Sequence, residues 1–172
     1  MRRACFCICL SIFGLSVVSA SAAASTIHGT RYSEVTRGVV LSTVEDVTST
    51  TGTVTGTLIA HGTSSGSQMA SAAVPSCSLG LGGPISGSTI TVANRGANLY
   101  TSFTGTVCES TSTSTAATYE VKAAFTITGG TGRFSNATGG GTFKSKATLR
   151  ATPQGSQGPV TTRSRGVIFL EH

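Results

Sequence analysis

Hydrophobic and polar residues alternate one by one along two segments in the last third of the chain. In the first segment the apolar positions are Tyr119, Val121, Ala123, Phe125 and Ile127. In the second, which follows a glycine-rich stretch, they are Phe143, Ala147 and Leu149. A period of two is typical of strands that bury one face. The two segments therefore predict an antiparallel pair of strands facing one core.

Similar alternation recurs in shorter segments. In one of them Val35, Val39 and Leu41 share a face, and Ser33 and Glu34 separate it from the segment before. The strands expected before and after the pair described above are 26–32, 35–44, 53–61, 87–93, 98–108 and 160–170. Helical periodicity is absent from the sequence, apart from a single turn expected at 133–137. These elements predict about eight strands and an all-β protein.

Glycines inside the strands and the need to pair strand edges both indicate how the strands are arranged. Gly56 and Gly105 lie inside expected strands, where glycine permits strong bends. Closure into a barrel also removes the unpaired edges that a sheet rich in Thr and Val would expose. The predicted fold is therefore a closed antiparallel β-barrel of about eight strands, with a two-sheet β-sandwich as the alternative.

Two polar stretches are interpreted as connections between strands. Residues 62–71 are rich in Gly and Ser, and would form either an interdomain linker or a mobile loop. The segments on either side are too short to build separate cores, which favours the loop. Residues 153–159 are expected to form a surface loop. A single domain is therefore expected over residues 25–172.

Composition separates this chain from disordered proteins. Only 10% of the residues are charged and 6% are aromatic, with 22 glycines and no tryptophan. Disordered chains are usually rich in charge and poor in β-branched residues, whereas here Val, Ile and Thr recur and the mean hydropathy is +0.20. The composition favours short strands joined by glycine turns.

The N-terminal segment has the features of a secretory signal peptide. Arg2 and Arg3 precede an apolar stretch at 6–18 that is too short to span a membrane, and small residues follow at 20–24. Cleavage would remove residues 1–24, and an uncleaved anchor is the alternative. The net charge of +6 would then fall to +4, with ten basic and six acidic residues remaining. A secreted or periplasmic protein without a transmembrane span is expected.

Two cysteines lie outside this leader, Cys77 and Cys108. Paired cysteines are common in exported proteins, so a disulfide is expected between them. A catalytic or metal-binding thiol is the alternative, but no histidine lies near either residue in sequence. The histidines outside the leader, His28, His61 and His172, and the acids give no catalytic or ligand spacing, so neither a metal nor a cofactor is expected. The acids outside the leader are Glu34, Glu45, Asp46, Glu109, Glu120 and Glu171.

One stretch is distinctive: Thr126-Ile-Thr-Gly-Gly-Thr-Gly-Arg-Phe-Ser-Asn-Ala-Thr-Gly139. It lacks the lysine of a P-loop and the third glycine of a dinucleotide-binding loop. We interpret it as a connection in which Gly129, Gly130 and Gly132 permit positive φ and close backbone approach, and Phe134 folds back as an apolar plug. Asn136 begins a glycosylation sequon, which matters only in a host that glycosylates exported proteins.

The segment from Gly129 to Phe134 resembles the Gly-Gly-Thr-Gly-Lys/Arg-Phe segment of dirigent proteins and allene oxide cyclases. It is still more similar to the version in exported bacterial proteins of that β-barrel superfamily. The close match covers about fourteen residues. The resemblance implies an eight-stranded barrel with a central cavity, often in an oligomer. It implies no activity, because none of the acids matches a family motif.

Three functions fit these features. The first is a non-enzymatic barrel that binds a small apolar or aromatic molecule or acts as an extracellular interaction module, with Tyr119 and Phe103 among the lining. The second is a dirigent-like or cyclase-like enzyme that steers a reactive intermediate. The third is a basic protein that binds an acidic polymer or cell surface, but not nucleic acid, through a stripe of cations. The stripe comprises Lys122, Lys144, Lys146 and Arg150.

Arg163 and Arg165 share one face of the last predicted strand. At the mouth of a cavity they would bind a carboxylate or a phosphate. At an exposed strand end they would be solvated and would have no ligand.

Overall fold

The structure is a computed structural model that describes residues 29–44, 47–70, 77, 81–153 and 155–171. Eight strands form a closed barrel in which each strand pairs antiparallel with the next. The strands are β1 (Gly29–Val44), β2 (Val47–Gly56), β3 (Gly62–Ala70), β4 (Gly82–Ala93), β5 (Asn98–Ser112), β6 (Ala117–Gly130), β7 (Thr138–Thr152) and β8 (Gly155–Phe169). The predicted fold class is confirmed.

The barrel closes between its first and last strands. β1 pairs with β8 over twelve consecutive positions, from Gly29 opposite Phe169 to Val40 opposite Gly158. Hydrogen bonding around the barrel is therefore continuous, and no strand is left with an open edge.

Alternation in β6 and β7 positions the core, as the sequence predicted. Val121, Ala123, Phe125 and Ile127 are buried, while the residues between them are exposed. Ala123 lies opposite Phe143 of β7, so both strands turn their apolar faces to the inside. Burying side chains of this size contributes about 1.5–3 kcal/mol each, apart from the smaller alanine.

A short 3₁₀ turn seals one end of the barrel. It spans Gly132–Phe134, and Phe134 is only 1% exposed. The side chain packs into the apolar cluster at this end, which includes Ile59, Leu99 and Ile168. The backbone amide of Thr131 also donates to the Asn98 carbonyl at 2.8 Å. The single turn expected at 133–137 is found at Gly132–Phe134, with Phe134 folded back into the apolar cluster. We call this end the closed end.

A disulfide lies towards the opposite end. Cys77 and Cys108 are joined with a Cα–Cα distance of 5.4 Å, which confirms the predicted pairing. The bond ties the segment between β3 and β4 to the far half of β5. Cross-linking residues 31 positions apart restricts the unfolded chain.

Paired glycines allow the wall to bend sharply. Gly141 of β7 lies directly opposite Gly166 of β8. A Cβ on Gly141 would collide with the Arg165 carbonyl, and a Cβ on Gly166 with the Gly140 carbonyl. The strands can approach and curve here only because both positions lack side chains.

The structure corrects several boundaries. The expected loop at 62–71 is strand β3 over Gly62–Ala70, and the expected loop at 153–159 shrinks because β8 already begins at Gly155. Both segments lack an apolar stripe because their inward side chains are polar. In β3 these are Ser64 and Gln68, which line the barrel interior.

The first strand also differs from its prediction. β1 runs unbroken through Ser33 and Glu34, which were expected to separate two strands. Val39 and Leu41 are exposed, so their shared face is the outer wall, and the inner face carries Tyr32 and Glu34.

Several predictions fall on residues outside the described part. The leader at 1–24, His28, the Glu45–Asp46 pair and His172 all lie there. Within the described ranges, no helix is long and apolar enough to cross a membrane.

Candidate functional site

The barrel contains a cavity of about 580 Å³, to which all eight strands contribute side chains. That volume lies within the range of about 300–1,000 Å³ typical of small-molecule sites. The lining differs from one side to the other. Strands β5, β6 and β7 contribute mainly aromatic and aliphatic groups, whereas β2, β3 and β4 contribute mainly hydroxyl groups.

Aromatic rings form the apolar side of the cavity. Phe103 and Phe143 meet edge to face, with ring centroids 5.2 Å apart and an interplanar angle of 83°. Phe125 packs against Tyr32 with ring centroids 5.7 Å apart. Such contacts fix the orientation of each ring beyond the effect of burial alone. This side therefore offers fixed faces against which another ring can pack.

Hydroxyl groups of the cavity lining bond to one another across neighbouring strands. The Thr89 and Thr101 oxygens are 2.6 Å apart, and Thr162 donates to Ser145 at 2.9 Å. A hydroxyl has one donor and two acceptor lone pairs. These pairs therefore satisfy each other and keep acceptor capacity for a ligand that has donors of its own.

Glu34 is the buried acid of the cavity lining. It is 5% exposed, and its Oε1 atom has no hydrogen-bond partner. Burial raises the pKa of this carboxyl to about 7, although the hydrogen bond from the Tyr32 hydroxyl acts in the opposite direction. Gly56 lies directly across the ladder from Glu34, and a Cβ there would collide with the glutamate side chain. The glycine provides the space that the acid occupies.

Tyr32 completes this pair from the next inward position of β1. It is 4% exposed, and burial first, then the charge and hydrogen bond of Glu34, raise the pKa of the phenol far above its ordinary value. The phenol therefore stays protonated and acts as a hydrogen-bond donor. Glu34 and Tyr32 can together exchange one proton with a ligand, because the Glu34 carboxyl is half protonated near neutral pH.

A second acid–phenol pair lies nearer the disulfide. Glu109 of β5 is directly opposite Tyr119 of β6 and is 7% exposed. Burial, together with the charge and hydrogen bond of Glu109, raises the pKa of the Tyr119 phenol. Tyr119 belongs to the cavity lining, and its hydroxyl is oriented by the hydrogen bond that it donates to Glu109.

The residues that the sequence suggested for ligand binding divide into two groups. Phe103 and Tyr119 both line the cavity. Arg163 and Arg165 are exposed on the outer wall instead, because the inward positions of β8 are the even-numbered Thr162 and Ser164. The two arginines therefore cannot act at the cavity.

The distinctive glycine segment forms the turn between β6 and β7 at the closed end. Gly129 and Gly132 have φ values of 125° and 57°, which L side chains rarely adopt. Gly130 has no room for a side chain, because a Cβ would collide with the Asn98 carbonyl and with Phe134. Asn136 of the sequon is exposed just before β7.

Sequence reasoning missed Glu34 and Tyr32. Tyr32 was assigned to the end of one strand and Glu34 to the break before the next. Tyr32, Glu34, Thr36 and Val40 nevertheless all have even numbers and share one face. Following that parity without a break would have placed the acid on the inner face with the tyrosine.

The described residues hold no group of three or more His, Cys, Asp or Glu side chains that could bind a metal. His61 is exposed. The site can thus bind an apolar or aromatic molecule, donate and accept hydrogen bonds, and exchange a proton at Glu34.

No family model, curated protein or solved structure matches this chain. The cavity and its lining are therefore the basis for assigning a function.

Proposed function

We propose that the protein binds one small, largely apolar or aromatic molecule inside the barrel and leaves it chemically unchanged. The cavity carries the proposal. It has an aromatic wall, an opposite wall of hydroxyls and a volume of about 580 Å³. Binding sites for small molecules are mostly apolar with a few placed polar groups, and this lining follows that pattern.

The polar groups suggest what the ligand carries. The unpartnered Oε1 of Glu34 is costly to bury without a donor. The terminal torsion of a glutamate is soft, so a small rotation would present this oxygen to the cavity. We therefore expect an aromatic or alicyclic body that packs against Phe103 and Phe143 and carries an N–H or O–H group.

The resemblance of residues 129–134 to dirigent-type barrels supports the same proposal, because those proteins enclose a central cavity. The signal peptide expected at 1–24 would direct the protein out of the cytoplasm. In such a setting a lumenal ligand would be captured from, or released to, the surroundings of the cell.

Native mass spectrometry of protein purified from its source tests the proposal directly. We expect a bound mass that is retained under gentle conditions and lost on unfolding. The recovered compound should be apolar and should contain a hydrogen-bond donor. Recovery of empty protein from every preparation would count against a tightly held ligand, and the titration described next would then decide.

Titration with N-phenyl-1-naphthylamine, a fluorescent aromatic amine with one N–H, measures lumenal binding without knowledge of the natural ligand. Ser64→Phe places a ring inside the cavity, whereas Ser65→Phe places it on the outer face of the same strand. We expect the Kd to rise about 10-fold or more for Ser64→Phe and to stay unchanged for Ser65→Phe, because only the first removes room for the probe. Equal effects of the two variants, or no binding to wild type, would refute lumenal binding.

A dirigent-like or cyclase-like enzyme is the second candidate, and Glu34 is the observation that favours it. A carboxyl with a pKa of about 7 holds both protonation states near neutral pH, as an acid–base catalyst requires. The recovered ligand distinguishes the two functions. A compound that wild type converts and Glu34→Gln binds but leaves intact would establish catalysis, whereas an unchanged compound supports binding alone.

A further inference from the structure

Cations are concentrated on one part of the outer wall, across strands β6, β7 and β8. The five side chains are exposed and line a shallow external groove. They are Lys122, Lys144, Lys146, Arg163 and Arg165. Within the described ranges, Glu120 is the one acid of this groove. Two further acids, Glu34 and Glu109, are buried and add no negative charge to the outer wall.

Three of these cations lie in a single row across the strands. Lys122 is directly opposite Lys144, and Lys144 is directly opposite Arg163. Neighbouring strands are about 4.8 Å apart, and like charges at directly opposite positions destabilise a sheet. The row therefore costs the folded protein stability unless anions neutralise it.

A second row lies two residues further along the same strands. It runs from Lys146 of β7 through Thr161 of β8 to the exposed Arg37 of β1, and Glu120 of β6 lies opposite Lys146. The basic surface thus extends over four adjacent strands and is longer than a single small anion. Its length and regular spacing suit an extended chain that carries negative charge at intervals.

The remaining groove residues indicate what kind of chain this is. The exposed side chains other than the charged ones are Thr142 and Pro159. No aromatic side chain among those described is exposed in the groove, so it lacks a platform for stacking bases. Large apolar side chains, which a membrane-surface site would insert into lipid, are not exposed in this lining either. Thr148 and Thr161, both half-buried, also line the groove. Hydroxyls and cations together favour a hydroxylated polyanion.

We propose that this external groove binds an acidic polysaccharide that carries one carboxylate on each sugar. Successive carboxylates would pair with Lys122, Lys144 and Arg163, because one sugar unit is comparable in length to the spacing between strands. Arg163 and Arg165 would each grip a carboxylate through two N–H donors. This site is separate from the lumen, so the protein could hold a small molecule while attached to a polymer.

Binding to polygalacturonate, measured by biolayer interferometry, tests the proposal. The groove variant is Lys122→Gln/Lys144→Gln/Arg163→Gln. The control is Thr55→Glu/Ser65→Glu/Ser86→Glu, which changes the net charge equally on exposed positions of β2, β3 and β4. Each exposed ion pair is worth up to about fivefold in affinity. We expect the groove variant to lose about 10-fold or more and the control to lose much less.

Ionic strength and competing ligands provide further outcomes. Raising the salt from about 0.1 M to about 1 M shortens the Debye length from ~10 Å to ~3 Å and should abolish binding. Neutral dextran should not bind. Equal losses in the groove and control variants would show attraction by net charge alone, and tighter binding to phosphatidylglycerol vesicles, heparin or RNA would overturn the polyuronate assignment.

A lumenal titration of the same variants keeps the two proposals apart. The groove variant should bind N-phenyl-1-naphthylamine with the Kd of wild type, which also shows that the barrel is folded. Loss of polymer binding with an intact lumen is the result expected. Loss of both together would mean that the substitutions had damaged the barrel. The single variant Lys144→Gln would then be used, and an affinity for the polymer equal to that of wild type would be the refuting result.

Discussion

Replacing Glu34 by glutamine removes a buried carboxyl from the cavity while keeping its size and its acceptor for the Tyr32 hydroxyl. Burial raises the pKa of this carboxyl from its ordinary value of 4.5 to about 7. Between these two values the folded protein retains a proton that the unfolded chain has released. The free energy of unfolding therefore falls as pH rises through this window, and it levels off above about pH 7.

The magnitude follows from the two pKa values. A tenfold difference in proton affinity corresponds to about 1.4 kcal/mol. The difference between 4.5 and about 7 then amounts to about 3 kcal/mol of stability that is present in acid and absent above neutrality. Glu34 is 5% exposed, so solvent screens little of this effect.

Urea unfolding from about pH 4 to about pH 8, followed by circular dichroism, measures it. Other groups also titrate, so the informative quantity is the stability of Glu34→Gln minus that of wild type at each pH. We expect this difference to increase by about 3 kcal/mol between the two ends of the range. Glu120→Gln, an exposed substitution on β6, is the matched control and should follow wild type in parallel. A constant difference for Glu34→Gln would refute the proposed burial of the acid.

The remaining predictions concern stability and use the same unfolding assay. Phe134→Ala should cost about 3–5 kcal/mol because it empties the closed end, and a cost below about 1 kcal/mol would contradict its role as a plug. Removing the Cys77–Cys108 bond by serine substitution should cost roughly 3–4 kcal/mol, and reduction of wild type should reproduce that loss. Gly105→Ala should cost about 1–3 kcal/mol, since its Cβ would collide with the backbone of β6. Thr104→Ala, at an exposed position on the same strand, should stay within about 0.5 kcal/mol of wild type.

The parts of the fold that the sequence predicts are those where side chains report burial. In β6 and β7 the inner face is apolar and the outer face is charged, so Val121 and Lys122 differ in a way that periodicity detects. The burial of Phe134 is also predictable. The glycines before it have no side chains that could cover its ring, so the ring must pack against another part of the chain. These features depend on hydrophobic contrast between the two faces of one strand.

Strand β3 shows why the rest escaped prediction. Its inner residues Ser64 and Gln68 face a polar part of the cavity, and its outer residues face solvent. Neither face is apolar, so the segment has the composition of a loop although it is fully paired on both sides. A barrel with a lined cavity does not need every strand to carry an apolar stripe.

Glu34 escaped prediction for a related reason. A lone acid between two extended segments is more commonly a solvated turn residue than a buried one. Its burial depends on Gly56 of the neighbouring strand, whose missing side chain makes room for it. That relationship becomes visible only when the register of β1 against β2 is known.

The pairing of β1 with β8 affects how the protein folds while it is being synthesised. One of the two partners of β1 is the last strand of the barrel, with Gly29 opposite Phe169. Until β8 has been synthesised, the edge of β1 and the edge of the most recent strand can both pair with strands from other chains. Because such long-range pairing is slow, truncated or stalled products should aggregate. Joining the two ends with a short linker and opening the chain at the β5–β6 turn should give a permuted protein that still folds.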